Sequence, residues 1–575
     1  MRRINRIILR TLAAMPLAMT LAGCIYEDGP NGANCGMDNA LTITVRVPVA
    51  SDATRAYPTA GEDGEGREDG MANENEIFDA NIFFYKGEGM NQDDAGNVEV
   101  YNVYIPNFKA TRVEEENLPF EKKIIFRIPL SETGLTETDL TNGDTKVSFI
   151  TVLNAGSDLS GIKNLSDLRS YSKLEKSWTS PSDESISALN YSHFVMTTAY
   201  DAPSGVIGDR RVGSSLLVRD ENTKDGWKGE TTVERICARI DLLHNDSFSS
   251  TGDGKDALIY EVKKGDDILA EVWVTDMLPV NAMQQPSFLI RKTTTGLPVA
   301  WTESGLGTIK WGGLETTTLN GKPSNYVIEP HTLLKESETT NTSGWYATSS
   351  VENVQEALSK KNCGAIADYY TTNLPAPEHG YSHFTIIGYA NENIQSPAKS
   401  DSRFVTGVAI RAEYRPMKWH SYEGGNLASR DMSREEWLAK EDKSFTRYQP
   451  TLFTGANALE ISEENALYFA KYEDAQKYAE AHPADQAILT RFEGGVCYYN
   501  LWLRHYDDTQ DSDRSDPHAP QPMQYAIVRN NLYRFAISFS GPGDIKPELR
   551  EPETMAARIF VRKWNTREEK KPLEF

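Results

Sequence analysis

Apolar and polar residues alternate along much of this chain. Over residues 41–49, Leu41, Ile43, Val45, Val47 and Val49 fall on one side, with Thr42, Thr44, Arg46 and Pro48 on the other. That period of two is the pattern of a half-buried strand. Pro48 has no backbone donor, so the strand is expected at a sheet edge or near its end there. The same reading predicts strands at 80–85, 146–153, 233–243, 268–274, 384–389, 404–414, 496–503, 525–539 and 557–561. Helical periodicity is confined to 165–174, 351–361, 433–441 and 462–482. The last of these opens with Ser462 as N-cap and Glu463 and Glu464 in the first turn, and Pro483 stops it. Many strands, long connections and few crossovers predict a mainly β protein of antiparallel β-sandwiches with a few short helices.

Three stretches lack the apolar residues a core needs. Residues 51–75 are rich in Gly, Glu and Asp. Residues 219–231 (RDENTKDGWKGET) suit a seam between domains. Residues 541–554 (GPGDIKPELREPET) read as a spacer before one last strand.

The start of the chain departs from alternation altogether. Arg2, Arg3, Arg6 and Arg10 precede an apolar stretch that ends in Leu21, Ala22, Gly23 and Cys24. A charged start, a short apolar middle and small residues at the cut make a secretory signal. A cysteine at the cut is the bacterial lipoprotein pattern, so Cys24 is the expected lipidation site. A short core helix is the alternative, but the polar, Gly-rich sequence that follows at once argues against it. Glu27 and Asp28 resemble the acidic tag that sends some Gram-negative lipoproteins to the cell surface.

At 575 residues the chain is too long for one ordinary core. Net charge is −23, and loss of the four signal arginines gives −23 − 4 = −27. An acidic surface argues against nucleic acid, which requires basic stripes. No later segment is long and apolar enough to span a bilayer, so lipid is the expected anchor. The five cysteines are Cys24, Cys35, Cys237, Cys363 and Cys497, with no CxxC among them. A disulfide framework is not expected. Cys237 and Cys497 lie in apolar runs and are expected to be buried, inert thiols.

Catalytic patterns are missing. There is no HExxH, no GxSxG and no Walker A, and the nine histidines are dispersed. The acidic run 507–516 (DDTQDSDRSD) lacks the glycine and terminal glutamate of an EF-hand, so a solvated loop is the expectation. No catalytic residue, metal or cofactor is expected. Trp301, Trp311, Trp345 and Trp419 offer a possible sugar platform, against the commoner role of tryptophan in a sandwich core.

The chain resembles the fimbrillins, type V pilus subunits made as lipoproteins by Gram-negative anaerobes, and among them the minor-fimbrium major subunit and its relatives. The motifs run in family order: the lipobox 21–24, VASDATRAY (49–57), IFFYKGEG (82–89), VSFITVLNAG (147–156), VERICARIDL (233–242), EVWVTDM (271–277), YAIVRNNLYRFAISFSGPG (525–543) and ARIFVRKW (557–564). Two departures are a short spacer before the last strand and little family pattern in 300–375. The resemblance implies two transthyretin-like β-sandwich domains. The divisions expected are a signal peptide (1–23), a lipidated propeptide with a removable strand (24–55), an N-terminal domain (56–228), a C-terminal domain (229–543) and a linker with a donor strand (544–575).

The resemblance also implies polymerisation by donor-strand exchange after proteolysis. The expected cut is Arg55–Ala56, in polar sequence just past the apolar strand. It would release the lipid and the strand carrying Leu41, Ile43, Val45, Val47 and Val49 together. The expected replacement is the C-terminal strand of a neighbour, through Ala557, Ile559, Val561, Leu573 and Phe575, as β-strand addition. That tail is expected to lie outside its own subunit's core. A head-to-tail contact of this kind builds open filaments. The partners implied are other fimbrial subunits, both copies of this chain and accessory subunits, an Arg-specific protease, the outer membrane through lipid, and a host protein or glycan. The location implied is the outer membrane for the precursor and then the surface fimbrium. The competing reading is a tip adhesin or a non-polymerising surface lipoprotein that binds glycan or protein.

Overall fold

The computed structural model describes residues 40–47, 67–69, 71–87, 98–106, 113–118, 121–142, 146–171, 177–179, 190–198, 215–220, 226–245, 248–251, 256–283, 317–319, 322–324, 351–359, 365–378, 380–393, 405–454, 458–461, 465–505, 525–548 and 554–565. Strands dominate, as the alternation predicts. The first ten are β1 (Ala40–Val47), β2 (Arg67–Asp69), β3 (Ala80–Lys86), β4 (Val100–Ile105), β5 (Val113–Leu118), β6 (Glu121–Pro129), β7 (Val147–Leu153), β8 (Met196–Thr198), β9 (Ser215–Arg219) and β10 (Trp227–Arg235).

Apart from β2, these strands form one nine-stranded sheet, with a central order β4-β3-β7-β8-β10-β1-β6-β5 and β9 bridging β10 and β7. β10 serves two leaves: its first half pairs with β1 and β9, and its last residues pair with β8. The leaves fold over a shared core that includes Ile43 and Phe126 from one side and Ile82, Phe84 and Phe149 from the other. Strand β3 is buried on both faces. Its Phe83 and Tyr85 pack outward under Leu165 and Leu168 of the short helix Leu165–Ser170. That helix starts at Asn164, whose side chain accepts from the Asp167 N–H.

The chain leaves this sheet at Ile236, inside the expected strand 233–243; of the polar stretch 219–231, Arg219 belongs to β9 and residues 227–231 to β10. The remaining strands are β11 (Cys237–His244), β12 (Ser249–Ser250), β13 (Asp256–Lys264), β14 (Asp267–Val280), β15 (Thr317–Leu319), β16 (Lys322–Ser324), β17 (Thr371–Glu378), β18 (Tyr381–Asn391), β19 (Gly407–Pro416), β20 (Lys418–Glu423), β21 (Asn426–Asp431), β22 (Phe445–Gln449), β23 (Thr451–Thr454), β24 (Ala458–Ile461), β25 (Leu467–Phe469), β26 (Ile488–Phe492), β27 (Val496–Trp502), β28 (Asn531–Phe539) and β29 (Met555–Asn565). A six-stranded sheet (β17-β18-β11-β28-β29-β2) faces a five-stranded one (β12-β13-β14-β19-β27). Between them lies a core including Ile240, Trp273, Ile410 and Phe535. Cys497 joins that core, and Cys237 the core of the first sheet; both are buried free thiols, as expected. Burial pushes the Cys497 thiol up to about 11, so it stays protonated and inert.

A module with its own sheet (β21-β20-β25-β22-β26) and the helix Tyr472–Ala481 is inserted between β19 and β27. Here the expected helix 462–482 is corrected. Leu467, Tyr468 and Phe469 form β25 against β22, and the helix begins only at Tyr472. Pro483 does lie just past its end. The short helix Arg434–Ala439 is as expected, with Ser433 and Glu436 forming a reciprocal capping box.

Strand direction and one tryptophan also differ from expectation. The sheets are mixed, because β1–β10, β11–β28, β2–β29 and β20–β25 run parallel. Trp419 is 3% exposed and packs on Trp437 and Phe445, so it is core and no sugar platform. Cys24, Cys35, Arg55, Ala56, Trp301, Trp311, Trp345, Cys363, the run 507–516, Leu573 and Phe575 lie outside the described residues, as does Val49.

Candidate assembly interface

The pattern of the first strand sets its geometry. Leu41, Ile43, Val45 and Val47 are at most 1% exposed, while Thr42, Thr44 and Arg46 on the other face are half-buried. Pro48 lies outside the described residues, and the strand is described as far as Val47. It is not at an edge. It lies between two strands, antiparallel to β6 and parallel to β10. Leu41, Ile43 and Val45 stand opposite Ile128, Phe126 and Ile124 of β6, all buried. On the other side Ile43 stands opposite Gly229 of β10. A Cβ on Gly229 would come within 2.3 Å of the Phe149 ring, so glycine there lets the opposite leaf close over the slot. Arg46 pairs with Glu230 of β10 on the outer face. Removing β1 would uncover a slot walled on both sides by strands without their ladder partner.

The tail differs from its expectation. β29 is not free: it pairs antiparallel with β28 over nine positions, from Asn531–Lys563 to Phe539–Met555. Ile559 stands opposite Phe535 and, with Ala557 and Met555, packs on the second domain's core. Phe560 points the other way, is 2% exposed and joins the first domain's core. Val561 stands opposite Tyr533. Part of the expected spacer is also docked. Asp544 and Tyr498 exchange two backbone hydrogen bonds of 2.8 Å each. Gly543 approaches β27 so closely that a Cβ would lie 2.1 Å from the Tyr498 carbonyl oxygen. The physical reason is that β28 offers an edge, and the alternating apolar tail fits both cores beside it. β2 then pairs parallel with the far end of β29, through Lys563, Trp564 and Asn565.

Between the domains lies a buried polar seam. Asp241 of β11 accepts a two-pronged bond from Arg239 at 2.9 Å and a third contact from Arg534 at 3.0 Å. Arg239 also reaches Glu74 at 3.2 Å, and the Tyr389 hydroxyl donates to Glu74 at 2.6 Å. Burial, with Glu74 next to it, pushes the Tyr389 hydroxyl far up, so it remains a donor. Arg235 donates to the Glu74 carbonyl and the Asn530 side chain. A second pair, Arg529–Glu392 at 2.7 Å, is also buried, and Arg529 reaches Thr197 of β8. These residues account for much of the VRNNLY motif. Arg529 is the buried ion, Asn530 takes a left-handed turn (φ 57°), and the Asn531 amide donates to two backbone carbonyls. The Tyr533 hydroxyl closes the turn by accepting from Val528 N–H and donating to the Ala526 carbonyl. Sequence reasoning did not single out the seam, although Arg239 and Asp241 alternate with apolar residues on one strand, which is its visible trace.

Among the described residues, no group of three or more His, Cys, Asp or Glu side chains is placed to hold a metal ion. No described helix is long and apolar enough to cross a membrane.

Residues 490–570 match the family model described as "Major fimbrial subunit protein type IV, Fimbrillin, C-terminal". The match covers β27, β28 and β29. No curated protein matches the chain. Solved structures similar to it include a putative cell adhesion protein from Bacteroides eggerthii, 10% identical over 92% of this chain and 97% of that one, TM-score 0.33. A fimbrilin from Porphyromonas gingivalis is 12% identical over 92% of this chain and 99% of that one, TM-score 0.32. A tip fimbrial protein of the same species, truncated at its C-terminus, is 8% identical over 91% of this chain and 100% of that one, TM-score 0.28.

Proposed function

We infer that this chain, a protein of the fimbrillin family, is a structural subunit of a cell-surface fimbrium. It is exported as a lipoprotein through Cys24, held at the outer membrane, and polymerised when an Arg-specific protease cuts Arg55–Ala56. The single observation that carries the reading is the slot occupied by β1. One contiguous strand fills it with four fully buried side chains. The strand lies upstream of the proposed cut, so a single cleavage severs it from the rest of the chain. The vacated slot accepts one strand from a neighbour, and the apolar alternation of Ala557, Ile559 and Val561 suits it. Since β29 is docked on β28, exchange requires this strand to leave its own sheet first. The role is structural, with adhesion as its outcome, and needs no catalytic group.

The docked tail favours the second reading in one respect, because a subunit with its own tail in place is a complete monomer that can serve as an adhesin or surface lipoprotein. Electron microscopy of the purified protein before and after limited Arg-specific digestion separates the two. Filaments that form only after digestion, with mature chains beginning at Ala56, are the expected result. Digested protein that stays monomeric, or filaments whose chains begin at Cys24, would overturn the exchange mechanism.

A further inference from the structure

The inserted module carries a cleft that polymerisation does not use. β20 and β21 are joined by the two-residue turn Gly424–Gly425, with both φ values positive (58° and 84°). This is the glycine-favoured hairpin turn. A Cβ on either glycine would meet nothing within 4 Å, so the turn presents bare backbone to an open space. Across that space begins the helix Tyr472–Ala481, and no side chain caps its first N–H groups. The cleft between turn and helix has a volume of about 610 Å³. That is within the range of small-molecule sites.

Its lining is chemically mixed. Tyr422 forms the wall, held edge-on against Tyr478 at 5.3 Å. Asp474 is 8% exposed and lines the cleft. A carboxylate that lines an open cleft takes its donors from whatever occupies the cleft. Lys471 and Lys477 add two exposed ammonium donors. Glu423 and Glu473 add carboxylates at the rim, which disfavours an anion, and the residues do not form a metal-competent group. An apolar ligand would find little but the tyrosine ring.

We propose that this cleft is a saccharide-binding site. A neutral sugar ring satisfies each element at once. Its C–H face lies on the Tyr422 ring, whose electron-rich face attracts such edges. Its hydroxyls donate to Asp474, an acceptor-only group when ionised, and accept from Lys471, Lys477 and the uncapped helix N–H groups. The bare glycine turn lets the ring approach the backbone. The site belongs to the monomer and does not depend on strand exchange.

The test is a printed array of neutral mono- to tetrasaccharides probed with the full-length, uncut protein, followed by calorimetric titration of the best glycan. Asp474→Asn and Lys477→Ala are each expected to weaken binding at least tenfold, and Tyr422→Ala to abolish it. Lys477 is exposed, so its variant keeps the fold, which circular dichroism and urea unfolding verify for all three. Two results overturn the proposal: no glycan bound by the wild-type protein at millimolar concentration, or unchanged affinity in both Asp474→Asn and Lys477→Ala. Filament formation is scored separately, so a failed glycan site leaves the assembly reading untouched.

Discussion

Excision of β1 is the most demanding test of the assembly reading. The strand buries Leu41, Ile43, Val45 and Val47 almost completely. Full burial of such a side chain stabilises by roughly 1.5–3 kcal/mol. Four of them give about 6–12 kcal/mol, an upper bound because the unfolded chain is partly compact. Whole domains are stable by about 5–15 kcal/mol. Loss of the strand therefore removes most of what holds the first sheet, before counting the ladder partners lost by β6 and β10. The assay cuts the purified precursor at Arg55–Ala56, removes the released peptide under mild denaturant, and follows urea unfolding by tryptophan fluorescence. The midpoint of the first domain should fall steeply. A synthetic peptide of residues 40–49 should restore it in a concentration-dependent way, reaching about 2.7 kcal/mol at a hundredfold excess over its dissociation constant. The same peptide with Ile43→Asp should restore nothing, since it would place a charge opposite Phe126. Cut protein that unfolds at the same urea concentration as the intact precursor would refute the reasoning, because β1 would then contribute little to the fold it fills.

Three further outcomes are expected. Phe560→Ala should destabilise the monomer by about 3–5 kcal/mol in urea unfolding, since the ring is buried between the domains; an unchanged midpoint would mean that the tail is not docked in solution. Asp241→Ala leaves two buried guanidinium groups short of a carboxylate and should cost about 3–5 kcal/mol, again read from the urea midpoint. His505 is buried beside Tyr533, and burial pushes its pKa down to about 4. The unfolded chain takes up this proton below about pH 6.5 while the folded one does not, so stability is full above that pH and falls by about 3 kcal/mol as pH drops towards about 4. His505→Gln should flatten that slope in urea titrations at about pH 7.5 and about pH 5, and an equally steep slope in the variant would exclude His505 as its source.

Strand content was legible because burial on one face leaves a period of two. The strand at 80–85, the strand expected at 41–49 as far as Val47, and the helix expected at 433–441 were read from periodicity that acts within a few residues. Sheet position was not legible. Whether β1 lies at an edge depends on β6 and β10, which are remote in sequence. The same limit explains the tail: its alternation is the same whether it docks at home or on a neighbour. β25 was missed because three residues, Leu467–Phe469, are too few to show a period next to a helix. The seam was half visible. Arg239 and Asp241 in an apolar strand mark a buried polar face, but Glu74 and Arg534 reach it only through the fold.

The pairing of β2 with β29 bears on the order in which the chain folds. Arg67 lies next to Lys563, and Leu41 next to Trp227. Neither contact is local, and contacts of such long sequence separation form slowly. As the chain grows, β1 waits with an apolar face until β6 and β10 have been made. The sheet holding β28 stays open along one edge until residues 555–565 emerge. Among the described strands, the one that closes this edge is thus made last. A partly folded chain presents both the β1 slot and the β28 edge, and each is a template on which a neighbouring chain can pair prematurely. Keeping partly folded chains apart until each has closed on its own tail is therefore a requirement set by the topology.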